Sequence, residues 1–364
     1  MERQLASIRI ISSLTPIEGA DKIVVADVLG WKVVVLKDDF KVGDKCVYVE
    51  IDSILPDRPE FEFLRERKFR IRTIRLKKQI SQGICFPLSV LPMGNYKEGD
   101  DVTSILKIVK HDPQAEAEQK EIDRLNAIHK NRIRKYFMRF SWFRRLVFRP
   151  QRLPRPAFVR KTDEDRIQLF PKICEEQKGT KFHVTEKLDG TSMSCFVVKK
   201  GRRYKYGICS RNFEIIKKNH PYWDVSEKYN LKEILKELSK RENADVVIQG
   251  EIIGPKVQEN KYKLDELKFY IFNLKIGNKW FYYPEDIFEK IKDYILGGDK
   301  NKLRVVPLLN ASYCFPDTIN EAVETARERS ILAGIPREGI VVRNQEKGLS
   351  FKIINPDFLL KYDA

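Results

Sequence analysis

The stretch Thr185-Glu186-Lys187-Leu188-Asp189-Gly190-Thr191-Ser192 sets one amine beside two carboxylates and a glycine. Apolar positions Phe182 and Val184 lead into it, and a second strand-like run, Met193 to Val198, leaves it. Lys187 is therefore expected where a strand ends and the chain turns, with Gly190 permitting the turn. An amine near its ordinary pKa of about 10.4 is protonated and inert at neutral pH, and becomes a nucleophile once that value is lowered. Alone, the string reads equally as a hairpin with a solvated lysine, so its meaning rests on what accompanies it.

Four later stretches carry charge or polarity where their apolar neighbours do not predict it. They are Cys209-Ser210-Arg211-Asn212, Val246 to Gly254 with Glu251 at its centre, Glu338-Gly339-Ile340-Val341-Val342-Arg343, and Ser350-Phe351-Lys352-Ile353-Ile354. A glutamate inside so apolar a run must be paired or bind a cation, because a buried lone charge is costly. Each stretch alone has the reading of a strand-end charge. All four, following Lys187 in this order, are hard to explain that way.

The elements that position these residues differ along the chain. Residues 5 to about 106 read as all-β. Ile8–Ile11, Ile23–Val28, Trp31–Leu36, Cys46–Ile51, Arg70–Leu76 and Gly83–Phe86 suggest short strands at the close spacing of a small barrel. On the alternating stretch, Arg70, Arg72, Arg75 and Lys77 are expected to face solvent, supported by Arg65, Arg67, Lys68 and Lys78, as a groove for a phosphate backbone. Pro113 to Ile128 is helix-forming, and basic and aromatic residues then interleave from Lys130 to Arg145 before Pro150, Pro154 and Pro156. That segment is read as a helical connector, with a membrane-surface helix as the rival. From about residue 157 strands alternate with helices expected at Tyr222–Arg241, Pro284–Leu296 and Thr318–Leu332. Thr318 and Glu321 form a capping box, and Gly297-Gly298 stops the middle helix.

Composition bounds the rest. The 364 residues suggest two or three domains. Sixty-nine Lys and Arg against 52 Asp and Glu give +17, which favours a polyanionic partner. No apolar run approaches bilayer length, and the N-terminus lacks a secretory layout, so a soluble intracellular protein is expected. The six cysteines form no Cys-x-x-Cys pair and only four histidines exist, which argues against a zinc site or a disulfide framework.

The ordered set resembles the covalent nucleotidyltransferase superfamily of ATP-dependent DNA and RNA ligases and mRNA capping enzymes. Lys187-Leu188-Asp189-Gly190 resembles motif I, Ser210-Arg211 motif Ia and Gly250-Glu251 motif III. Phe269-Tyr270-Ile271-Phe272 resembles motif IIIa, Glu338-Gly339-Ile340-Val341 motif IV, and Lys352 a lysine of motif V. Motif V often carries Lys-x-Lys, whereas this chain has Lys352-Ile353-Ile354. A barrel ahead of the catalytic region is similar to the Naegleria-type RNA ligases. The implied fold is α+β: an OB-like β-barrel (1–110), a basic helical linker (111–156), and an ATP-grasp-like nucleotidyltransferase domain with antiparallel sheets and flanking helices (157–364).

The resemblance implies an ATP-dependent RNA ligase. Lys187 attacks the ATP α-phosphate, AMP passes to an RNA 5′-phosphate, and a 3′-hydroxyl displaces it. It implies Lys187, Asp189 and Lys352 as catalytic, and Glu186, Arg211, Glu251, Phe272 (or Phe269) and Glu338 around the nucleotide. Glu251, Glu338 and Asp189 would hold Mg²⁺ or Mn²⁺. Burial and neighbouring cations such as Lys352 are expected to lower the Lys187 pKa. The expected partner is RNA with 3′-hydroxyl and 5′-phosphate ends, nicked or bridged, acted on by a monomer. A DNA ligase, a capping guanylyltransferase and an inactive nucleic-acid-binding protein remain the competing readings.

Overall fold

Period-two alternation builds almost everything that positions the site. A computed structural model describes residues 4–77, 79–111, 152–170, 172–201, 203–216, 219–295 and 303–362. The chain divides into two compact units, Met1–Arg144 with Pro356–Ala364, and Arg145–Asn355. The closing helix Pro356–Tyr362, with Phe358 and Leu359 buried, thus counts with the first unit rather than with the residues it follows.

In the first unit Ser13–Ile17, Ala20–Val28 and Trp31–Leu36 form a three-stranded meander. Lys45–Val49 pairs between Ala6–Ile10 and Ile84–Phe86. Leu29 and Gly30 both take positive φ between the paired residues Val28 and Trp31, the geometry a two-residue hairpin needs. Inward residues Ile11, Val28, Trp31, Val33 and Tyr48 share one core. The strand expected over Arg70–Leu76 is shorter, Thr73–Leu76, and forms a hairpin with Gln79–Gln82. The preceding backbone is spent elsewhere: Ile71 N–H donates to Ser53 O, and the Arg70 guanidinium pairs with Asp52 at 3.0 Å. Arg70 is therefore half-buried and partnered, while Arg72, Arg75 and Lys77 are exposed. The helix expected over Pro113–Ile128, the basic run to Arg145 and the Gly297-Gly298 stop lie outside the described residues.

The second unit holds two sheets. The larger runs in the order Arg152–Pro154, Phe213–Ile215, Arg203–Cys209, Thr191–Lys200, Val246–Ile253, Lys268–Ile276, Lys279–Phe281, with Arg304–Val305 alongside Lys268–Ile276. The smaller runs Asp165–Arg166, Leu349–Ile354, Gly339–Asn344, Phe182–Lys187, Leu308–Tyr313. One face of the larger sheet (Met193, Cys195, Ile248, Ile252, Phe269, Ile271) joins a core with Leu231, Leu235 and Leu238, the apolar stripe of the Leu231–Glu242 helix. Truncating Leu235 there would cost about 2–5 kcal/mol. One face of the smaller sheet (Phe182, Val184, Ile340, Val342, Phe351, Ile353) joins a core with Ile319, Ala322 and Val323 of the Ile319–Glu324 helix. Their opposite faces carry the polar residues. The smaller sheet presents His183, Thr185, Lys187, Arg343, Ser350 and Lys352, in register; the larger presents Gln249 and Glu251.

Two expected helices are cut short. Tyr222–Arg241 is two helices, Pro221–Lys228 and Leu231–Glu242, because Asn230 sits in the left-handed region at φ 50°. Thr318 caps its helix through the Glu321 N–H, as its spacing predicts, but the helix ends at Glu324 rather than Leu332. Further on, Ser330 and Ile331 turn toward Glu186, so the backbone there bonds to the site instead of to a helix.

Candidate active site

Lys187 ends the Phe182–Lys187 strand, cross-strand from Gly339. Its Nζ lies 2.5 Å from Glu338 Oε1. Glu251, on the larger sheet, and Asp189 also act electrostatically on that amine. Lys352 sits two strands away on the same face, opposite Val341 of the intervening Gly339–Asn344 strand. The structure thus gathers Lys187, Asp189, Glu251, Glu338 and Lys352, all expected from the sequence, although they span 166 positions of the chain.

Glycines permit the closeness. A Cβ on Gly190 would meet Ile252 O at 2.2 Å, and one on Gly339 would meet Ile353 O at 2.3 Å. The glycine beside each motif residue therefore serves close approach of neighbouring backbone; Gly190 does not supply the positive φ of a turn.

The electrostatics differ from expectation at Lys187. Burial lowers its pKa, but the charge and hydrogen bond of Glu338, then Glu251 and Asp189, outweigh burial and the net shift is upward. Lys352 shows the opposite balance: burial first, then Arg166 and Lys187, bring it to about 7. Burial also raises Glu338 against the pull of Lys187. Glu251 reaches about 8, through burial above all, opposed by Lys187 and reinforced by Glu338 and Asp189. A crowd of carboxylates around one cationic amine results.

Glu186, Phe272 and Arg211 differ in their surroundings. Glu186 is buried; one carboxylate oxygen accepts from Ile331 N–H at 3.1 Å and the other, Oε1, has no hydrogen-bond partner. Burial raises its pKa, with Ser330 and Ile331 opposing. A bulge at Gln249/Gly250 lets Phe272 join Leu188, Tyr262, Tyr270 and Val306, whereas Phe269 is fully buried in the core under the larger sheet. This separates the two aromatic candidates: Phe272 packs in the cluster that holds Leu188 of the motif and Phe269 does not. Arg211 lies just past the Arg203–Cys209 strand and pairs with Asp163 at 2.9 Å.

Asp189 is engaged in a way the sequence did not signal. Lys261 Nζ sits 2.6 Å from Asp189 Oδ2, both largely buried, and Tyr262 accepts the Asp189 backbone N–H at 2.9 Å. Lys261 belongs to an irregular polar loop whose residues Gln258, Glu259, Asn260 and Lys263 all take positive φ. Nothing local in that loop marks it as functional; only the contact 72 residues away does.

Among the described residues no group of three His, Cys, Asp or Glu side chains is arranged to hold a metal ion. Glu251, Glu338 and Asp189 are therefore no preformed cage, and Asp189 already has Lys261. The donor chemistry still suits a hard cation: Glu338 Oε2 is buried without a hydrogen-bond partner, and Glu251 carries a strongly disfavoured charge. Mg²⁺ and Mn²⁺ accept one or two carboxylates and complete their shell with water and phosphate oxygens.

A strand-end lysine among three carboxylates, with a second lysine two strands away on the same face, is the set of groups that a nucleotidyltransferase of the covalent lysine type requires. A family model described as an OB-fold domain matches residues 5–88, and the RNA ligase family model matches residues 180–362. The chain belongs to the RNA ligase family. Among solved structures it is similar to the apo form of an aspartate-to-alanine mutant of Naegleria gruberi RNA ligase, at 31% identity, covering 99% of this chain and 98% of that one, TM-score 0.77. A glutamate-to-alanine mutant of that ligase with ATP and Mn matches at 30% identity over 100% of both chains, TM-score 0.77. The same ligase with PPi matches at 30% over 99% of both, TM-score 0.76. No curated protein sequence matches the chain.

Proposed function

We propose that this chain is an ATP-dependent RNA ligase that joins a 3′-hydroxyl to a 5′-phosphate through a lysyl-AMP on Lys187 and an RNA-adenylate. The observation that carries this is the convergence of Glu338, Glu251 and Lys352 on Lys187. It is supported by the likeness to an RNA ligase characterised with ATP, AMP and Mn. The Lys187 Nζ–phosphorus bond forms as the bond to the β-phosphate breaks and pyrophosphate leaves. The amine must first lose a proton, and Glu338 Oε1 at 2.5 Å is the nearest acceptor. Lys352 offsets charge that develops on the α-phosphate. The AMP then passes to the RNA 5′-phosphate, and the 3′-hydroxyl attacks that phosphate and releases AMP.

Glu186 Oε1 is free to accept an adenine amino proton, Phe272 offers a stacking face, and Arg211 serves the ribose or phosphate. A divalent cation held by Glu338 and Glu251 would act as a Lewis acid toward phosphate and neutralise the carboxylates that hold Lys187 charged. Asp189 acts by positioning, through Lys261. Residues 1–110, 111–156 and 157–364 are assigned as OB-like domain, basic connector and catalytic domain of a soluble monomer. Arg72, Arg75 and Lys77 are its exposed backbone contacts and Arg70 a partnered one. Among the described residues no helix is long and apolar enough to cross a membrane.

Labelled ATP tests the reading. The wild-type chain is expected to retain labelled AMP covalently and Lys187→Ala to retain none; an adduct on the variant would show that the nucleophile lies elsewhere. GTP in place of ATP, and nicked RNA beside nicked DNA, separate the ligase from a capping enzyme and a DNA ligase.

A further inference from the structure

A second cleft opens along the same two sheet faces, beyond the reacting centre. It encloses about 440 Å³ and is lined by Gln249 and Asn273 of the larger sheet, Arg343 and Ser350 of the smaller, and the aromatic pair Trp280 and Tyr282. Ser350 lies two residues from Lys352 on one strand face, roughly 7 Å along the cleft. The Trp280 and Tyr282 rings are parallel within 3°, their centroids 5.9 Å apart. Arg160 lies over the Trp280 ring at 5.5 Å, and Arg343 likewise over one face of the Tyr282 ring at 5.5 Å, which leaves the other Tyr282 face for a base. Asn273 is 6% exposed, donates to Gln249 Oε1 at 2.9 Å, and leaves its own carbonyl oxygen without a hydrogen-bond partner. A buried orphan acceptor is costly unless a ligand donates to it.

We infer that this cleft receives the base of the RNA nucleotide next to the phosphate being joined, stacked on Tyr282 with an exocyclic amino group reaching Asn273. The inference rests on the ligase reading above. A bare phosphate or pyrophosphate fits less well. Asp163 and Glu164 line the same space beside Arg160 and Lys161, and the Arg343 guanidinium is already bound to Glu164 at 2.7 Å, Ser350 at 3.1 Å and the Phe272 carbonyl at 3.2 Å. A flat aromatic face beside an amide is the usual means of holding an unpaired base.

The test uses the full chain with ATP and RNA carrying either a normal or an abasic nucleotide at each of the two ends to be joined. Tyr282→Ala and Tyr282→Leu are expected to raise the KM for normal RNA about 5- to 100-fold, the range one lost base stack commands, with lysyl-AMP formation and the KM for ATP unchanged. Tyr282→Phe keeps the ring and is expected to seal like wild type. With the abasic end that the cleft serves, wild type should fall to the level of Tyr282→Leu and the variant should lose nothing further. Equal sensitivity to abasic ends in wild type and Tyr282→Leu would overturn the inference, as would a raised KM for ATP or slowed pyrophosphate release in the variants. If Tyr282→Ala proves unfolded, Tyr282→Leu carries the comparison. A wild-type chain that forms no lysyl-AMP sinks the ligase reading itself, and this inference with it.

Discussion

Substituting Gly190 by alanine probes how the site is assembled without removing or adding any charge. The added Cβ would lie 2.2 Å from the Ile252 carbonyl oxygen, 2.8 Å from Ile253 Cγ2 and 2.9 Å from Glu251 Cγ. Real Cβ contacts essentially never fall under 3.0 Å, so the motif turn and the Val246–Ile253 strand must part by at least 3.0 − 2.2 = 0.8 Å. The obstacle is main chain, which cannot swing aside as a side-chain tip can. Overpacking of this kind costs about 1–3 kcal/mol or more. The displacement separates Lys187 from Glu251, and a misplacement near 1 Å lowers a rate by about 100-fold. Circular dichroism melting and single-turnover transfer of labelled AMP measure the two effects separately. An alanine variant that melts with wild type and forms the adduct at the wild-type rate refutes the close-approach argument. One that is destabilised yet adenylylates normally in its folded fraction refutes the positional half of it.

Asp189→Ala removes the 2.6 Å carboxylate partner of the largely buried Lys261 ammonium and is expected to cost up to about 3–5 kcal/mol in urea unfolding; adding Lys261→Met should recover part of that stability but not adenylylation. His183 is held neutral to about pH 4, by burial first and then by Arg343. The unfolded state takes up that proton near 6.5, so stability is complete above about 6.5 and falls toward 4, by roughly 3 kcal/mol at most. Urea midpoints across this window should flatten in His183→Gln, and an unchanged slope would refute the assignment. Lys352 carries the opposite liability. With its folded pKa at about 7, the charged form is penalised below that pH, and stability recovers as pH rises toward the unfolded value near 10.5. Lys352→Met should therefore be more stable than wild type near pH 6.5 without added metal, with the gap shrinking from about pH 7 upward and closing only above about pH 10.5; a pH-independent gap would argue against it.

What the sequence revealed follows from the range of the interaction behind it. Strand-end Lys187 and the glutamate inside Val246–Ile253 were legible because alternation and an out-of-place charge are local signals. Thr318 announces its helix start through a contact three residues away, whereas the helix stops at Glu324, and farther on Ile331 N–H bonds to Glu186, 145 residues distant, a contact that no local pattern shows. The break at Asn230 was missed because one left-handed residue does not disturb a hydrophobic pattern. Lys261 was invisible for the same reason as the upward shift at Lys187: both depend on which carboxylates the fold brings alongside. The sequence listed cations that would lower that pKa, and the sheets placed three acids closer.

The short contact between Lys187 and Glu338 has a consequence for the enzyme at rest. An amine that exposed a free lone pair in a groove open to solvent would be carbamylated, acylated or glycated by small electrophiles over the protein's lifetime. Clasped by its carboxylate, this one is quiet toward such reagents. Lysine-directed probes should therefore spare Lys187 in the resting protein and label it readily in Glu338→Gln.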